Sequence, residues 1–329
     1  MSCKISRRSF LKVSGCLMLG SAVSGLLCGA GDPAEGGAAV PTVGGLRVNY
    51  VRAFAKDYGN NFRQMEIHLN IENTNSSAAY FNQENFVPLL GNSRYGGERT
   101  FSGLNKWNGS RYVQDVQLKA GETQTISYIC KLQPEDLSAG LRAVDPAPWS
   151  LTLLYGGQRQ TFTGYLLPDR YSTEYTAGPV ESTVLPSVGG IVLSGFWSSD
   201  LLTQVPSYNL PIYFTMQNSN DTAAQLPFRG VAENGDVLDN FTIRMDGQPR
   251  NHYRLYACTH TSRFTPEEKG HLETLQPQEI CFAETGISLT KDEYSTLYTT
   301  GHTLEITFSY GDESVTVRGN TRTGIFEAI

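Results

Sequence analysis

The chain has 329 residues, a formal net charge of −6, 40% hydrophobic residues and 33 glycines. That apolar content with modest charge excludes a disordered chain, and the acidic balance argues against nucleic acid or anionic lipid as the principal partner. Without residues 1–30 the chain loses Lys4, Arg7, Arg8 and Lys12 and no acid, so the formal charge moves to −10. The 299 residues left suit two domains of ordinary size, each able to bury its own core.

The first element is Ser6-Arg7-Arg8-Ser9-Phe10-Leu11-Lys12, followed by an uncharged, Gly/Ser/Leu-rich run from Val13 to Gly31. It resembles a bacterial twin-arginine export signal, and S-R-R-x-F-L-K covers that signal's full pattern, not the arginine pair alone. A basic start ahead of a weakly apolar, small-residue segment suits translocation better than a permanent membrane span. The resemblance implies export, with Arg7 and Arg8 as the residues read. Cleavage after Ala30 fits the small-x-small Cys28-Gly29-Ala30 and leaves 31–42 as a flexible tether. The rival is lipid attachment, at Cys28 in Gly25-Leu26-Leu27-Cys28 or at Cys16 in Val13-Ser14-Gly15-Cys16. Attachment to membrane is expected only through such a lipid anchor or through an uncleaved signal, because no later apolar run approaches spanning length.

Beyond the tether the chain repeats itself. Val43-Gly44-Gly45-Leu46 recurs as Val188-Gly189-Gly190-Ile191, and Ile67–Asn75 recurs as Ile212–Asn220, both at an offset of 145 residues. The offset then grows to 155–157, so Leu118–Glu122 faces Leu275–Glu279 and Leu151–Gly156 matches Ile306–Gly311. Two copies of one domain explain this: residues 43–168 and 188–329, joined by a Pro/Gly/Ser/Thr-rich linker at 169–187.

Periodicity gives the class of each copy. Ile67, Leu69 and Ile71 alternate with Glu66, His68, Asn70 and Glu72, and Ile212, Phe214 and Met216 keep the same parity. Each copy closes in a hairpin around Gly156-Gly157 or Gly311-Asp312. Helix is confined to a turn or two near Pro134–Ala143 and Lys291–Thr299. The expected fold is all-β, two tandem β-sandwiches.

A strand running into Asn-x-Asn with following alanines, a Gly-Glu turn before a strand and a closing Tyr-Gly hairpin resemble the bacterial extracellular immunoglobulin-like domains of unknown function. The resemblance spans 43–165 and 188–319, and the second copy departs from it at Pro277-Gln278, where the first has Ala120-Gly121. It implies an immunoglobulin-like fold and a cell-envelope address, and transfers no catalytic residue.

Candidate sites are few. Asn73, Asn75, Asn218, Asn220 and Asp221 offer hard oxygen ligands, but Asn after a strand more readily caps a turn, and calcium sites gather several carboxylates. Cys258 and His260, with His252 and His271 nearby, lack a second Cys at zinc spacing. No metal and no cofactor is expected. Cys130 reads as a small buried hydrophobe, and nothing in the spacing requires Cys258 and Cys281 to pair. No G-x-S-x-G, H-E-x-x-H, Walker loop or dinucleotide fingerprint occurs, so the protein is read as a non-enzyme.

The segment Arg94–Tyr112 loses alternation and interleaves Arg94, Tyr95, Arg99, Phe101, Lys106, Trp107, Arg111 and Tyr112 with small polar residues. Rigid aromatics with guanidinium groups are the composition of a binding loop, and the competing reading is an ordinary hairpin with some of its aromatics turned inward. Arg250 and Tyr253 lie in the counterpart Arg244–Tyr256 of the second copy. The expected function is an exported binding module for a protein or another envelope component. A glycan or small ligand held on aromatic loops is the alternative, and an exported enzyme with an unrecognised site comes third.

Overall fold

The period-2 segments fold as antiparallel strands wherever the chain is described. The computed structural model describes residues 41–57, 63–90, 93–94, 99–103, 116–132, 147–166, 171–198, 202–204, 207–226, 228–231, 237–253, 255–258, 270–297 and 300–329. The export signal, the tether and the helical turn expected near 134–143 lie outside these residues, whereas the later expected helix is present as Lys291–Thr296.

In the first lobe, one sheet runs in the order Thr42–Val43, Leu46–Asp57, Arg63–Asn73, Thr123–Leu132, Arg99–Gly103. The other runs Tyr175–Ala177, Gln158–Leu166, Ala147–Tyr155, Phe86–Leu90, Ser93–Arg94. The second lobe repeats the plan. Ile191–Ser198, Ser207–Asn218 and Ile280–Leu289 are consecutive strands of one sheet, with Ile191–Ser198 at the end of its order, and Phe241–Met245, Thr303–Tyr310 and Glu313–Asn320 form the centre of the other.

Alternation decides which side chains face inward. Ile67, Leu69 and Ile71 share a core with Ile126, Tyr128, Phe86, Leu153 and Phe162, all buried. Ile212, Phe214 and Met216 do the same with Phe241, Ile306 and Phe308. Each such side chain contributes about 1.5–3 kcal/mol by leaving water, which makes two sheets packed face to face the stable solution.

The duplication is reproduced atom by atom in the polar corners. Asn73 Nδ2 donates to the carbonyls of Ser77 at 2.8 Å and Leu118 at 3.0 Å, while its Oδ1 accepts from the Asn75 N–H at 3.0 Å. Asn218 donates to Thr222 at 2.8 Å and Leu275 at 2.9 Å, and accepts from Asn220 at 3.0 Å. Asn75 and Asn220 each reach back to the first glycine of their Val-Gly-Gly, to the carbonyls of Gly44 and Gly189. These asparagines therefore serve the turns, and their amide hydrogens point at backbone carbonyls. Gly44 has φ +56°, and a Cβ there would stand 2.7 Å from the Tyr155 carbonyl oxygen, so the closing hairpin can lie against the opening turn.

The departure at Pro277-Gln278 is accommodated without changing the turn. Gln278 adopts φ 61°, close to the 72° of Gly121. Its N–H donates to the Asn218 carbonyl as that of Gly121 does to Asn73. A left-handed non-glycine residue costs about 1–2 kcal/mol, and here the side chain recovers part of that through a bond from Gln278 Nε2 to the Ser219 carbonyl at 3.2 Å.

The segment between the copies is bonded along its described residues. Ser172 exchanges backbone hydrogen bonds with Ala53. Tyr175–Ala177 and Glu181–Ser182 pair with Gln158–Leu166. The Leu185 N–H then donates to the Leu193 carbonyl at 2.8 Å, so consecutive parts of one segment join first one lobe and then the other.

Candidate binding surface and interlobe cleft

The two lobes meet through one outward face of each. Val87 and Leu154 of the first lobe form a buried cluster with Trp197, Tyr213 and Phe282 of the second. In the second lobe, Trp197 stands opposite Tyr213, and Tyr213 opposite Glu284, on the face turned away from the sandwich core. Tyr213 stacks near Phe282 with ring centroids 5.7 Å apart, and Trp197 lies 5.5 Å from Phe282.

Comparison of the copies shows why this face is apolar in only one of them. The positions of Trp197 and Tyr213 are held in the first copy by Arg52 and His68, again opposite each other. That of Phe282 is held by Thr125, and those of Val87 and Leu154 are matched in the second copy by Thr242 and Ser309. In the first lobe, Arg52 lies under the Tyr171 ring, 4.6 Å from its centroid, and shares a hydrogen bond with His68. Apolar side chains therefore occupy the outward positions that the other lobe covers, and polar ones the equivalent positions it leaves uncovered. The contact uses different surfaces of the two lobes, and neither surface recurs in the other copy to extend the array.

A charged clasp borders this contact. Arg159 of the first lobe donates to Glu181 at 2.6 Å and to Glu327 of the second lobe at 2.7 Å. These carboxylates are 49% and 69% exposed, so the clasp orients more than it stabilises.

Beside the buried cluster lies a cleft of about 340 Å³. The hairpin Leu154–Gln158, Thr183 and Val184 wall one side, and Val192, Ser194, Trp197, Thr215, Gln217 and Ile280 the other. Among the described residues, no Asp, Glu, Lys, Arg or His lines it. Trp197 is 2% exposed, and neither its indole Nε1 nor the buried Thr183 hydroxyl has a hydrogen-bond partner among the described residues.

The residues singled out in the sequence fall elsewhere. Arg94 ends the strand Ser93–Arg94, whose partner is Phe86–Leu90, while Arg99 and Phe101 belong to Arg99–Gly103, which pairs with Thr123–Leu132. The segment thus passes from one sheet of the first lobe to the other. Tyr95, Trp107 and Tyr112, like Arg7, Arg8, Cys16 and Cys28, lie outside the described residues.

Arg250 and Tyr253 have partners inside the second lobe. The Tyr253 hydroxyl donates to Glu284 Oε1 at 2.8 Å. Burial, and then the Glu284 carboxylate, push that hydroxyl's pKa far above the ordinary tyrosine range, so it remains a donor. His252 is equally internal, with Nε2 2.8 Å from Asp239 Oδ2 and Nδ1 3.0 Å from the Tyr253 carbonyl. Among the described residues, no group of three or more His, Cys, Asp and Glu is placed to hold a metal ion.

Arg250 donates to Glu293, which also accepts from the Thr290 N–H at 2.8 Å and so closes a capping box. Partial burial opposes ionisation of Glu293, but the Thr290 backbone bond and the Arg250 guanidinium outweigh it and hold the carboxyl below its usual range. A lowered folded value contributes stability above the unfolded pKa, which is lost as pH falls through the folded one. Glu293→Gln keeps an acceptor for the cap, and is expected to cost about 1 kcal/mol at neutral pH, a gap that closes below about pH 4. Urea unfolding at both pH values checks this, and an undiminished gap in acid would rule the charge out as its cause.

The interlobe residues were not singled out from the sequence, yet a signal for them existed. It is the change from Arg52, His68 and Thr125 to Trp197, Tyr213 and Phe282 at matching outward positions of two otherwise similar copies.

No known family's sequence profile matches the chain, and no curated protein matches it. Among solved structures, the partial N-terminal region of an enterococcal surface protein is similar at 8% identity and a TM-score of 0.23, over 86% of this chain and 96% of that one. So distant a likeness assigns no function.

Proposed function

We propose that the chain is an exported, non-enzymatic binding module of the cell envelope or the extracellular space, with immunoglobulin-like sandwiches presenting loops to a protein or another envelope component. The observation that carries this reading is S-R-R-x-F-L-K at Ser6–Lys12, followed downstream by a duplicated scaffold of antiparallel sheets. A buried contact between lobes supports it, because loop ends set on a rigid frame lose less freedom on binding. Within this segment, Arg94 and Arg99–Gly103 are strand residues of the two sheets of the first lobe.

Replacing Arg7 and Arg8 together by lysine is expected to strand the precursor in the cytoplasm, as read by fractionation, and undiminished export would sink the assignment. Radioactive fatty-acid labelling of Cys16→Ala and Cys28→Ala variants distinguishes an anchored from a soluble product. Residues 31–329 serve as bait for envelope and secreted components. A folded Tyr95→Ala, Trp107→Ala double variant is expected to lose capture by about 1–2 kcal/mol or more, and unchanged capture would remove this segment from the reading.

A further inference from the structure

We infer that the interlobe cleft seats an uncharged, apolar side chain of a partner protein. The inference rests on the reading of the chain as a binding module and gives it a surface separate from Arg94–Tyr112.

The outward face that docks on the first lobe does not stop at the covered aromatics. Along the same three strands, the row of Trp197 and Tyr213 is followed by Ser194, Thr215 and Phe282, and then by Val192, Gln217 and Ile280. Trp197, Tyr213 and Phe282 are buried beneath the first lobe, whereas Ile280 is 41% exposed and Val192 half-buried, and both line the cleft. Val184, on the other wall, is 54% exposed.

The copies differ here as they do at the covered rows. The matching row of the first copy is Arg47, Glu72 and Thr123, with Arg47 and Glu72 in a partly exposed ion pair of 3.3 Å. Polar side chains hold the outward positions left uncovered, and apolar ones those that a second surface covers. By that rule the row of Val192 and Ile280 suits a cover, and the first lobe leaves it open. Covering it gains about 25 cal/mol for each Å² of apolar surface removed from water.

Charge and size define the occupant. Among the described residues no charged side chain lines the cleft, so a lysine or aspartate entering it would shed hydration for no counter-charge. Leucine or phenylalanine would bury its own surface against Val184, Val192 and Ile280. A volume of about 340 Å³, at the small end of ligand pockets, suits one anchor side chain with its flanking backbone. The half-buried Thr215 and Gln217 offer that backbone a hydroxyl and an amide.

The test uses residues 31–329 with labelled isoleucine and valine methyl groups, followed by NMR as the N-acetyl amides of leucine, phenylalanine, lysine and aspartate are added in turn. The methyl signals of Ile280, Val184 and Val192 are expected to shift saturably with the first two probes and not with the charged ones. Ile280→Thr, which matches Thr123 of the first copy, and Val184→Ser should each weaken that binding about fivefold. Thermal melting confirms that the variants are folded, and each is read at the methyl groups it retains.

No saturable shift with either apolar probe would overturn the inference, as would equal shifts with the charged probes or undiminished binding in both folded variants. A dimer in sedimentation that Ile280→Thr disperses would also overturn it, by giving the cleft to a second copy. The probes report on the cleft itself, so failure here is distinct from failure of the export and capture experiments.

Discussion

Replacing Asn73 by alanine is expected to destabilise the protein by about 3–5 kcal/mol, among the largest losses available to a polar residue here. Asn73 is fully buried at the end of a central strand. Its Nδ2 serves the carbonyls of Ser77, Leu118 and Lys119, and its Oδ1 takes the N–H of Asn75. Alanine leaves those groups shielded from water without their partner. Asn73→Asp should be at least as damaging, because a carboxylate sets an anion against carbonyl oxygens that need a donor. Asn218→Ala should cost a similar amount in the second lobe, where Asn218 is also fully buried. Urea unfolding monitored by circular dichroism reads all three. Wild-type midpoints for both Asn73 variants would remove the corner from the account of the fold, whereas an aspartate variant stabilised by calcium would revive the metal reading.

The second large effect is expected at the contact between lobes. The triple substitution Trp197→Arg, Tyr213→His, Phe282→Thr gives the second lobe the residues that the first carries at matching positions. Each lost aromatic removes apolar area worth several kcal/mol. An arginine pressed under Val87 and Leu154 would also have to shed its hydration. The lobes should then uncouple. We expect one unfolding transition for the wild type and two separate ones for the variant, with a larger radius of gyration by small-angle scattering.

Isolated lobes test the same surface from the other side. Residues 43–168 and 186–329 should each fold with a strand-dominated spectrum, since each encloses its own core. Residues 186–329 expose Trp197, Tyr213 and Phe282 once the first lobe is removed, so this piece should self-associate. The triple substitution should return it to a monomer in sedimentation. A triple variant of the whole chain that stays compact and melts in one step would show that the aromatic cluster does not couple the lobes.

Much of the architecture is local chemistry and was therefore legible in the sequence. The alternation of Ile67, Leu69 and Ile71 has one strand solution with a single buried face, and Gly156-Gly157 makes a two-residue hairpin because both φ values are positive, 56° and 71°. The helix at Lys291–Thr296 follows from Thr290 and Glu293 at capping-box spacing. The duplication was readable because the Val-Gly-Gly and Asn-x-Asn corners are specified by backbone geometry and tolerate few residue types. Gln278 for Gly121 shows that limit being stretched.

The site was far less legible. Arg250 and Tyr253 look like exposed recognition residues in a string of letters, yet the Arg250 guanidinium bonds Glu293 and the Tyr253 hydroxyl bonds Glu284, which stand 43 and 31 residues away in the chain. Local pattern cannot reveal such partners.

By itself, then, the sequence determined the all-β class, the two copies and the faces that point inward, because period-2 alternation and turn residues act over a few neighbours. Only the tertiary structure decided which outward face is covered, how Val87 and Leu154 meet Trp197, and that a cleft opens beside them. The physical reason is that covering a face requires a second surface of matching shape and polarity. That surface is supplied here by residues far apart in the chain, and it comes into being only after both sandwiches have formed.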